Sequence, residues 1–273
     1  MDAAASARWI DLHTHILPAI DDGAADWAEA IAMARCALAD GIVHLVATPH
    51  NLRWPPGTDQ RALTAQVAEL TERLVTEGLP LRIALGAEMA LIPALPHQID
   101  AGEAIPLNCS RYLLLELPYT GLPPQLEEII SQVQVRGLVP ILAHPERNID
   151  LQRHPERLRR LVEGGLLSQV TAASLEGRFG RPAQHTAERL LAENLVHVLA
   201  SDAHDPRARA PRLSKARALA AEIIGPEQAE ALVSTIPAAI LADQPVAVEP
   251  PRPPRPRRWF WPRPGQRQLS RKC

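Results

Sequence analysis

The sequence predicts an α/β fold in which parallel strands form a single barrel. Apolar runs bounded by turn residues alternate with helical patterns along the chain, and several of the helical patterns end at a glycine. This repetition of strand, loop, helix and glycine stop is typical of βα units, whose strands pair in parallel. The 273 residues suffice for one barrel with a full core or for two small domains, and we favour one barrel.

The strands follow from short apolar runs. RWI, IVHLV, LRIAL, LVPIL and LVHVL are typical of buried strands, and two further runs complete the set. The seven predicted strands lie at 8–12, 42–47, 81–87, 111–117, 138–143, 167–171 and 196–200.

Six helices are predicted around these strands. The first four end at a glycine, namely Gly41, Gly78, Gly137 and Gly164. The predicted helices span Ala25–Ala39, Asp59–Glu77, Pro123–Arg136, Pro155–Glu163, Pro182–Glu193 and Arg209–Ile224.

Residue types that bind metals follow five of the strands. The segments are DLHTH at 11–15, ATPH at 47–50, GAE at 86–88, AHPER at 143–147 and SDAH at 201–204. Because the carboxyl ends of parallel barrel strands converge on one face, these residues can surround a metal cluster. The sequence therefore predicts a hydrolase with several metal ions.

His13 and His15 are two residues apart at the end of a strand, so both side chains should point to one face. Neutral imidazoles placed in this way can bind one ion, although an H-x-H pair is as often a surface or core pair. Asp11 is placed to orient a histidine, and the polar turn Asp21-Asp22-Gly23 follows. These neighbours favour metal binding, as does the strand-end position of His50.

Two acidic residues lie in strongly apolar surroundings. Glu88 ends the run LRIALGA, and Glu116 lies within LLLELP. A buried acid costs free energy of desolvation unless it is paired or bound to a cation, so a metal is favoured over the alternative of a buried ion pair.

The later segments contribute His144, Asp202 and His204 as candidate ligands, together with Arg147. A proline turn would explain AHPER structurally. An arginine beside metal ligands, however, is suited to binding phosphate through two parallel hydrogen bonds.

The donor set contains no thiolate, which suits iron, manganese, zinc or magnesium rather than copper(I). Two ions about 3.5–4 Å apart can activate a water, so no protein nucleophile is required. Hydrolysis of a phosphate ester by a cysteine thiolate needs an arginine six positions after the cysteine. Ile42 and Leu115 stand six positions after Cys36 and Cys109, and Cys273 ends the chain, so that mechanism is excluded.

Charge is distributed unevenly along the chain. Residues 252–273 carry eight basic side chains and no acid, whereas the other 251 residues carry 21 basic and 31 acidic groups. Many prolines accompany the basic residues, so we expect a domain at 1–245 followed by an extended, disordered Pro/Arg-rich tail at 246–273.

The sequence predicts a cytoplasmic protein. It has three cysteines without C-x-x-C spacing, no signal-peptide pattern and no long apolar segment.

The motifs, taken in order, resemble the bacterial polymerase-and-histidinol-phosphatase (PHP) superfamily, specifically its capsule-regulating manganese-dependent tyrosine phosphatases. H-x-H alone is a weak signal, but H-x-H-x-L-P-x-x-D-D-G with AHPER and SDAH is a strong one. The resemblance covers about residues 8–242 and rests on DLHTHILPAIDDGAAD, TPHN, LGAEM, YLLLELP, LAHPERN, TAASLEGRFG and LASDAHDPRAR.

The resemblance implies a distorted (β/α)7 barrel with a trinuclear site. Two arginines, Arg147 and Arg209, match family residues that hold the substrate phosphate. Asn51 and Asp205 stand where the family often has histidine and asparagine, which implies altered substrate contacts. The implied ligands are His13, His15, Glu88 and Asp202 for one ion, Glu88, Glu116 and His144 for a second, and Asp22, His50 and His204 for a third.

The implied activity is manganese-dependent hydrolysis of phosphotyrosine on a tyrosine autokinase of capsule or exopolysaccharide synthesis. One alternative is a small phosphomonoester such as histidinol phosphate, because fold and metals alone do not choose the substrate. An alternative of another class is a scaffold whose basic tail binds an acidic partner, anionic lipid or nucleic acid. The complete ligand set argues against such a scaffold.

Overall fold

A computed structural model describes residues 9–118, 121–247 and 249–253 and shows an α/β architecture of parallel strands. The strands are β1 (Trp9–Thr14), β2 (Ile42–Ala47), β3 (Arg82–Leu85), β4 (Glu88–Ala90), β5 (Tyr112–Glu116), β6 (Val139–Ala143), β7 (Leu167–Thr171) and β8 (Val198–Ala200). They form two sheets with the orders β1-β2-β3 and β4-β5-β6-β7-β8, in which every pair is parallel. The predicted parallel α/β class is confirmed.

Two single bridges connect the sheets, one from β1 and one from the segment after β2. Single parallel bridges join Thr14 to Ala203 and His50 to Glu88. Further along the β1 and β8 edges, Ile10 N donates to Val233 O at 2.9 Å and Leu199 N donates to Leu232 O at 3.1 Å. Both bridges lie where strands end, so they draw together the segments that carry the predicted ligands.

The predicted strand at 81–87 is divided between the two sheets. β3 ends at Leu85 in the first sheet, and β4 begins at Glu88 in the second. Gly86 lies at the crossing, where a Cβ would stand 2.6 Å from Leu107 Cδ2, so a larger residue there would have to displace the Leu107 side chain. Glu88 therefore stands at the junction of the sheets.

The six predicted helices are present, with shifted ends, and several short helices accompany them. The described helices are α1 (Trp27–Asp40), α2 (Gln60–Thr76), α3 (Leu95–Asp100), α4 (Leu126–Val135), α5 (Ile149–Arg153), α6 (Pro155–Glu163), α7 (Ala172–Leu175), α8 (Arg181–Ala192), α9 (Ser214–Ile224), α10 (Pro226–Ala231) and α11 (Thr235–Leu241). The unpredicted ones are too short to display a helical period.

The prediction that a helix begins at Arg209 was wrong. α9 begins at Ser214, where Asp40 Oδ2 accepts hydrogen bonds from Leu213 N at 2.6 Å and from Ser214 N at 2.9 Å. The carboxylate of Asp40 thus satisfies the first amides of α9 from the end of α1. The preceding segment is left as a loop, and that loop carries Arg209.

Strand side chains alternate between two apolar clusters, as the two-residue period requires. Leu114 and Ile141 belong to an inner cluster, whereas Leu113 and Leu142 pack in the larger cluster that includes the helices. The inner cluster lies below the strand ends and supports the residues above it.

The predicted tail lies mainly outside the described residues. In the part that is described, Arg252 N donates to Glu193 O and Asn194 Nδ2 donates to Glu249 O, both at 2.8 Å. The domain boundary near 245 stays a prediction. None of the described helices is long and apolar enough to cross a membrane.

Candidate metal centre

The predicted metal-ligating residues lie together at one end of the sheets, most of them at or after the carboxyl ends of strands and Glu88 at the start of β4. Most are buried, and the exceptions are Glu116, whose side chain is 19% exposed, and Asp22, at 45%. They are His13 and His15 from β1 and the residue after it, Asp22 in the following turn, His50 after β2, Glu88 in β4, Glu116 in β5, His144 after β6, and Asp202 and His204 after β8.

The Glu88 carboxylate is the common neighbour of four imidazoles. Its Oε1 lies 2.9 Å from His144 Nε2. Its Oε2 lies 2.9 Å from His50 Nδ1, 3.2 Å from His13 Nε2 and 3.5 Å from His15 Nε2. This is the position that a carboxylate shared between two ions requires.

The contacts of this carboxylate fit a cation better than a hydrogen-bond network. Glu88 Oε2 is buried, yet none of the described residues makes a hydrogen bond of good geometry with it. In addition, His13 Nε2 and His15 Nε2 face each other at 3.1 Å. If they carry no proton, nitrogen and oxygen lone pairs that point at one another repel, and a divalent ion between them attracts all of them at once, which a proton on a single ring nitrogen cannot do. The donor set therefore fits metal ions.

Among the described residues, three groups of donor atoms are close enough to hold an ion, each with all atoms within 4.8 Å of one another. They differ in part from the partition that the resemblance implied. His50 belongs to two of the groups, one through each of its ring nitrogens. His144 and Asp202, which the resemblance implies as ligands, belong to none of the three. The groups are His13, His15 and Glu88; His50, Glu88 and Glu116; and His15, Asp22, His50 and His204.

Two polar side chains orient the histidines of β1. Gln169 Oε1 lies 2.8 Å from His13 Nδ1, and Asp21 Oδ2 lies 2.6 Å from His15 Nδ1. A carbonyl or carboxylate oxygen holds a proton on Nδ1, which leaves the Nε2 lone pair for a metal. Both Nε2 atoms accordingly point to the Glu88 side of the cluster.

The role predicted for Asp11 was wrong. Asp11 Oδ1 accepts hydrogen bonds from two backbone amides, His13 N at 3.3 Å and Ser201 N at 3.0 Å, and within the described part of the chain no hydrogen bond or ion pair joins it to an imidazole ring. Asp11 ties β1 to the segment after β8.

The turn that contains Asp21 requires a glycine at position 23, because a Cβ there would lie 2.0 Å from His15 O.

Backbone geometry also marks the site. His144 and Asp202 are not glycines, yet their φ angles are 34° and 53°. This left-handed conformation costs a side-chain-bearing residue free energy, and five other described non-glycine residues adopt it outside the cluster. At both positions the chain turns sharply after a strand and directs the side chain into the cluster.

The metal-free cluster balances charge with protons. Burial alone would lower the pKa of His13, but the charges of Glu88 and Asp202 outweigh burial and raise that pKa to about 9. Burial is likewise outweighed at His50, where contacts with Glu116 and Glu88 raise the pKa to about 10. Burial, together with the charge of His15, lowers the pKa of His204 to about 3. At neutral pH, bound cations would therefore replace protons on His13 and His50.

The two predicted phosphate-binding arginines converge beside the cluster. Arg147 Nη1 and Arg209 Nη2 each donate to Asp202 Oδ2 at 2.7 Å. Phe179 lies beside both, with its ring centre 4.3 Å from the Cζ of Arg147 and 5.9 Å from the Cζ of Arg209. Both guanidinium groups are partly exposed, and Arg209 Nε is buried without a hydrogen bond to any described residue. The pair can thus present several donors to one anion.

The two positions that depart from the family pattern have structural contacts here. Asp205 accepts hydrogen bonds from the backbone amides of Arg207, Ala208 and Arg209, so it shapes the loop that carries Arg209. Asn51 Oδ1 accepts from Ala90 N at 2.9 Å and ties the segment after β2 to β4. That either residue alters substrate contacts stays a prediction.

Sequence reasoning did not identify Gln169, Asp21 and Phe179 as functional residues. Gln169 is a polar residue inside the predicted strand 167–171, and this signal could have indicated it. Asp21 adjoins Asp22, so either could have been chosen from the sequence. Nothing in the sequence places Phe179 beside the arginines, since their contact depends on the folded loops.

Comparison with known proteins gives consistent matches. The sequence model of the family described as capsular polysaccharide synthesis, CpsB/CapC, matches residues 9–242. Tyrosine-protein phosphatase YwqE of Bacillus subtilis (strain 168) is 35% identical over 251 residues, covering 92% of this chain and 98% of YwqE. Tyrosine-protein phosphatase CpsB of Streptococcus pneumoniae is 28% identical over 240 residues, covering 86% of this chain and 99% of CpsB.

Among solved structures, a chain from crystal structures of YwqE and CpsB, described as metal-dependent tyrosine phosphatases, superposes with a TM-score of 0.85. It is 34% identical in sequence, and the match covers 90% of this chain and 100% of that chain.

Proposed function

Because the chain belongs to the CpsB/CapC family of capsular polysaccharide synthesis, we propose that it is a metal-dependent protein-tyrosine phosphatase. The observation that supports this most strongly is the Glu88 carboxylate, surrounded by four imidazoles beside a pair of arginines. The proposed ligands are those named from the sequence, and the proposed metal is manganese.

Divalent ions held by these residues would polarise the phosphoryl group and activate a water as the nucleophile. The chain itself supplies orientation and charge. Arg147 and Arg209 bind oxygens of the phosphate, and Asp202 holds the two guanidinium groups side by side. Gln169 and Asp21 keep protons at Nδ1 of His13 and His15, so that Nε2 of each ring stays an acceptor.

The physiological substrate proposed here is a phosphotyrosine protein, namely a tyrosine autokinase of capsule or exopolysaccharide synthesis. Support comes from the family description and from the names of the relatives. We also infer that the two sheets act as one distorted barrel of seven βα units, which the two bridges between them support.

The test compares turnover of a phosphotyrosine peptide with turnover of histidinol phosphate by the full-length protein. We expect hydrolysis of the peptide, loss of activity with a chelator and recovery with manganese. A thiol-alkylating reagent should have no effect, since neither Cys36 nor Cys109 lines the metal centre. Faster turnover of histidinol phosphate, or inactivation by alkylation with no effect of the chelator, would overturn the proposal.

A further inference from the structure

A cleft of about 300 Å³ opens beside the metal centre. Three chain segments line it: residues 50–53 after β2, residues 90–92 at the end of β4, and residues 116–118 at the end of β5. Two of its lining residues, His50 and Glu116, also belong to the metal centre. A group bound in the cleft therefore lies next to an atom bound at the metals.

Most of the remaining lining is apolar. It includes Leu52, Leu91, Ile92, Leu117 and Pro118. Leu52 is 65% exposed although it stands only two residues after His50, on the short 3-10 turn Asn51–Arg53. Leu91 and Leu117 are buried, so Leu52, Ile92 and Pro118 offer the accessible apolar surface of the cleft.

The walls of the cleft are tied to one another by hydrogen bonds. Asn51 Oδ1 accepts from Ala90 N at 2.9 Å, which joins the first segment to the second. Leu91 N donates to Glu116 O at 2.8 Å, which joins the second to the third. The cleft is therefore formed before any ligand binds, as is usual for small-molecule sites.

The polar side chains of the lining already have partners. Asn51 holds Ala90, Arg53 forms an ion pair with Asp22, and Glu116 contacts His50. A positively charged substrate body would lose its hydration in this cleft without a new partner. An uncharged ring would gain from burial, and the volume suffices for one, because a cavity of about 150 Å³ can hold benzene.

We propose that this cleft binds the aromatic ring of the substrate while the phosphate lies at the metal centre, with Leu52 and Ile92 in contact with the ring. This inference rests on the proposed phosphatase function and specifies what the site selects. In phosphotyrosine, a ring separates the phosphate from the backbone, whereas phosphoserine has a single methylene there and would leave the cleft unfilled. Selection for aryl esters thus follows from the shape and apolar lining of the cleft.

The experiment measures binding of phenylphosphonate and methylphosphonate to the metal-loaded, full-length protein by calorimetry. Both ligands carry the same phosphonate, so a defect at the metals weakens both and leaves their affinity ratio unchanged. We expect phenylphosphonate to bind roughly tenfold more tightly in the wild type. Leu52→Asn should reduce that ratio roughly threefold to tenfold, and Ile92→Ala should do the same.

Val75→Asn is the matched control, since Val75 is 74% exposed on α2 and does not line the cleft. It should keep the wild-type ratio. Equal affinities in the wild type, or an unchanged ratio in Leu52→Asn and Ile92→Ala, would overturn the inference. A preference for phenylphosphonate in a protein that does not hydrolyse phosphotyrosine would support the ring-binding cleft and reject the phosphatase proposal, so the two failures are distinguishable.

Discussion

Gln169 controls the metal affinity of the cluster if its contact with His13 has the role inferred above. Its Oε1 lies 2.8 Å from His13 Nδ1, and both side chains are fully buried. In Gln169→Leu, water cannot replace the lost acceptor, so a proton on Nδ1 would stay unpaired at a cost of about 1–3 kcal/mol. The ring can avoid this cost by carrying its proton at Nε2, which removes the lone pair that faces Glu88.

The expected effect is a roughly 10- to 100-fold loss of metal affinity, equivalent to about 1.4–2.7 kcal/mol. In the metal-free protein His13 carries protons on both ring nitrogens at neutral pH, so the unpaired Nδ1 proton should lower stability by about 1–3 kcal/mol, offset in part because leucine removes Gln169 Nε2, which has no hydrogen bond to any described residue. Competition with a chelating dye measures the affinity, and denaturant unfolding of metal-free protein measures the stability.

Gln60→Leu serves as the control, because Gln60 is exposed at the start of α2, and it should bind metal as the wild type does. Metal affinity in Gln169→Leu within about threefold of the wild type would refute the argument that this amide sets the tautomer of His13.

Three further predictions address the cluster and the arginines. Glu88→Ala should abolish turnover and lower the amount of bound metal, because this carboxylate contacts four imidazoles. Elemental analysis measures the bound metal, and full activity in a metal-depleted variant would contradict the assignment of Glu88 as a metal ligand. Arg147→Lys should impair turnover of a phosphotyrosine peptide with metal content unchanged, since lysine cannot form the two-pronged contact, and wild-type kinetics would indicate a structural arginine. Metal binding at pH 7 should release protons, because the metal-free pKa values of His13 and His50 are about 9 and about 10, so affinity should rise as pH increases toward those values. Calorimetry in two buffers of different ionisation enthalpy measures the release, and heats that do not depend on the buffer would reject it.

The sequence by itself predicted the parallel α/β class, because strand and helix periods and glycine stops are local properties of the chain. It also predicted the identities of the clustered residues. A histidine or acid that follows an apolar run closely, as His50 and Glu88 do in the sequence, is expected near a strand end, and the carboxyl ends of parallel strands meet.

Only the tertiary structure decided how these residues are grouped and what holds them. Gln169 lies 156 positions from His13, so no local pattern could pair them. The predicted strand 81–87 is divided between two sheets, and the cleft beside the metal centre is built from three segments that only the fold brings together. Residue type and strand position are written in the local sequence, whereas the distances between donor atoms arise from packing between distant segments, and those distances determine which residues can share an ion.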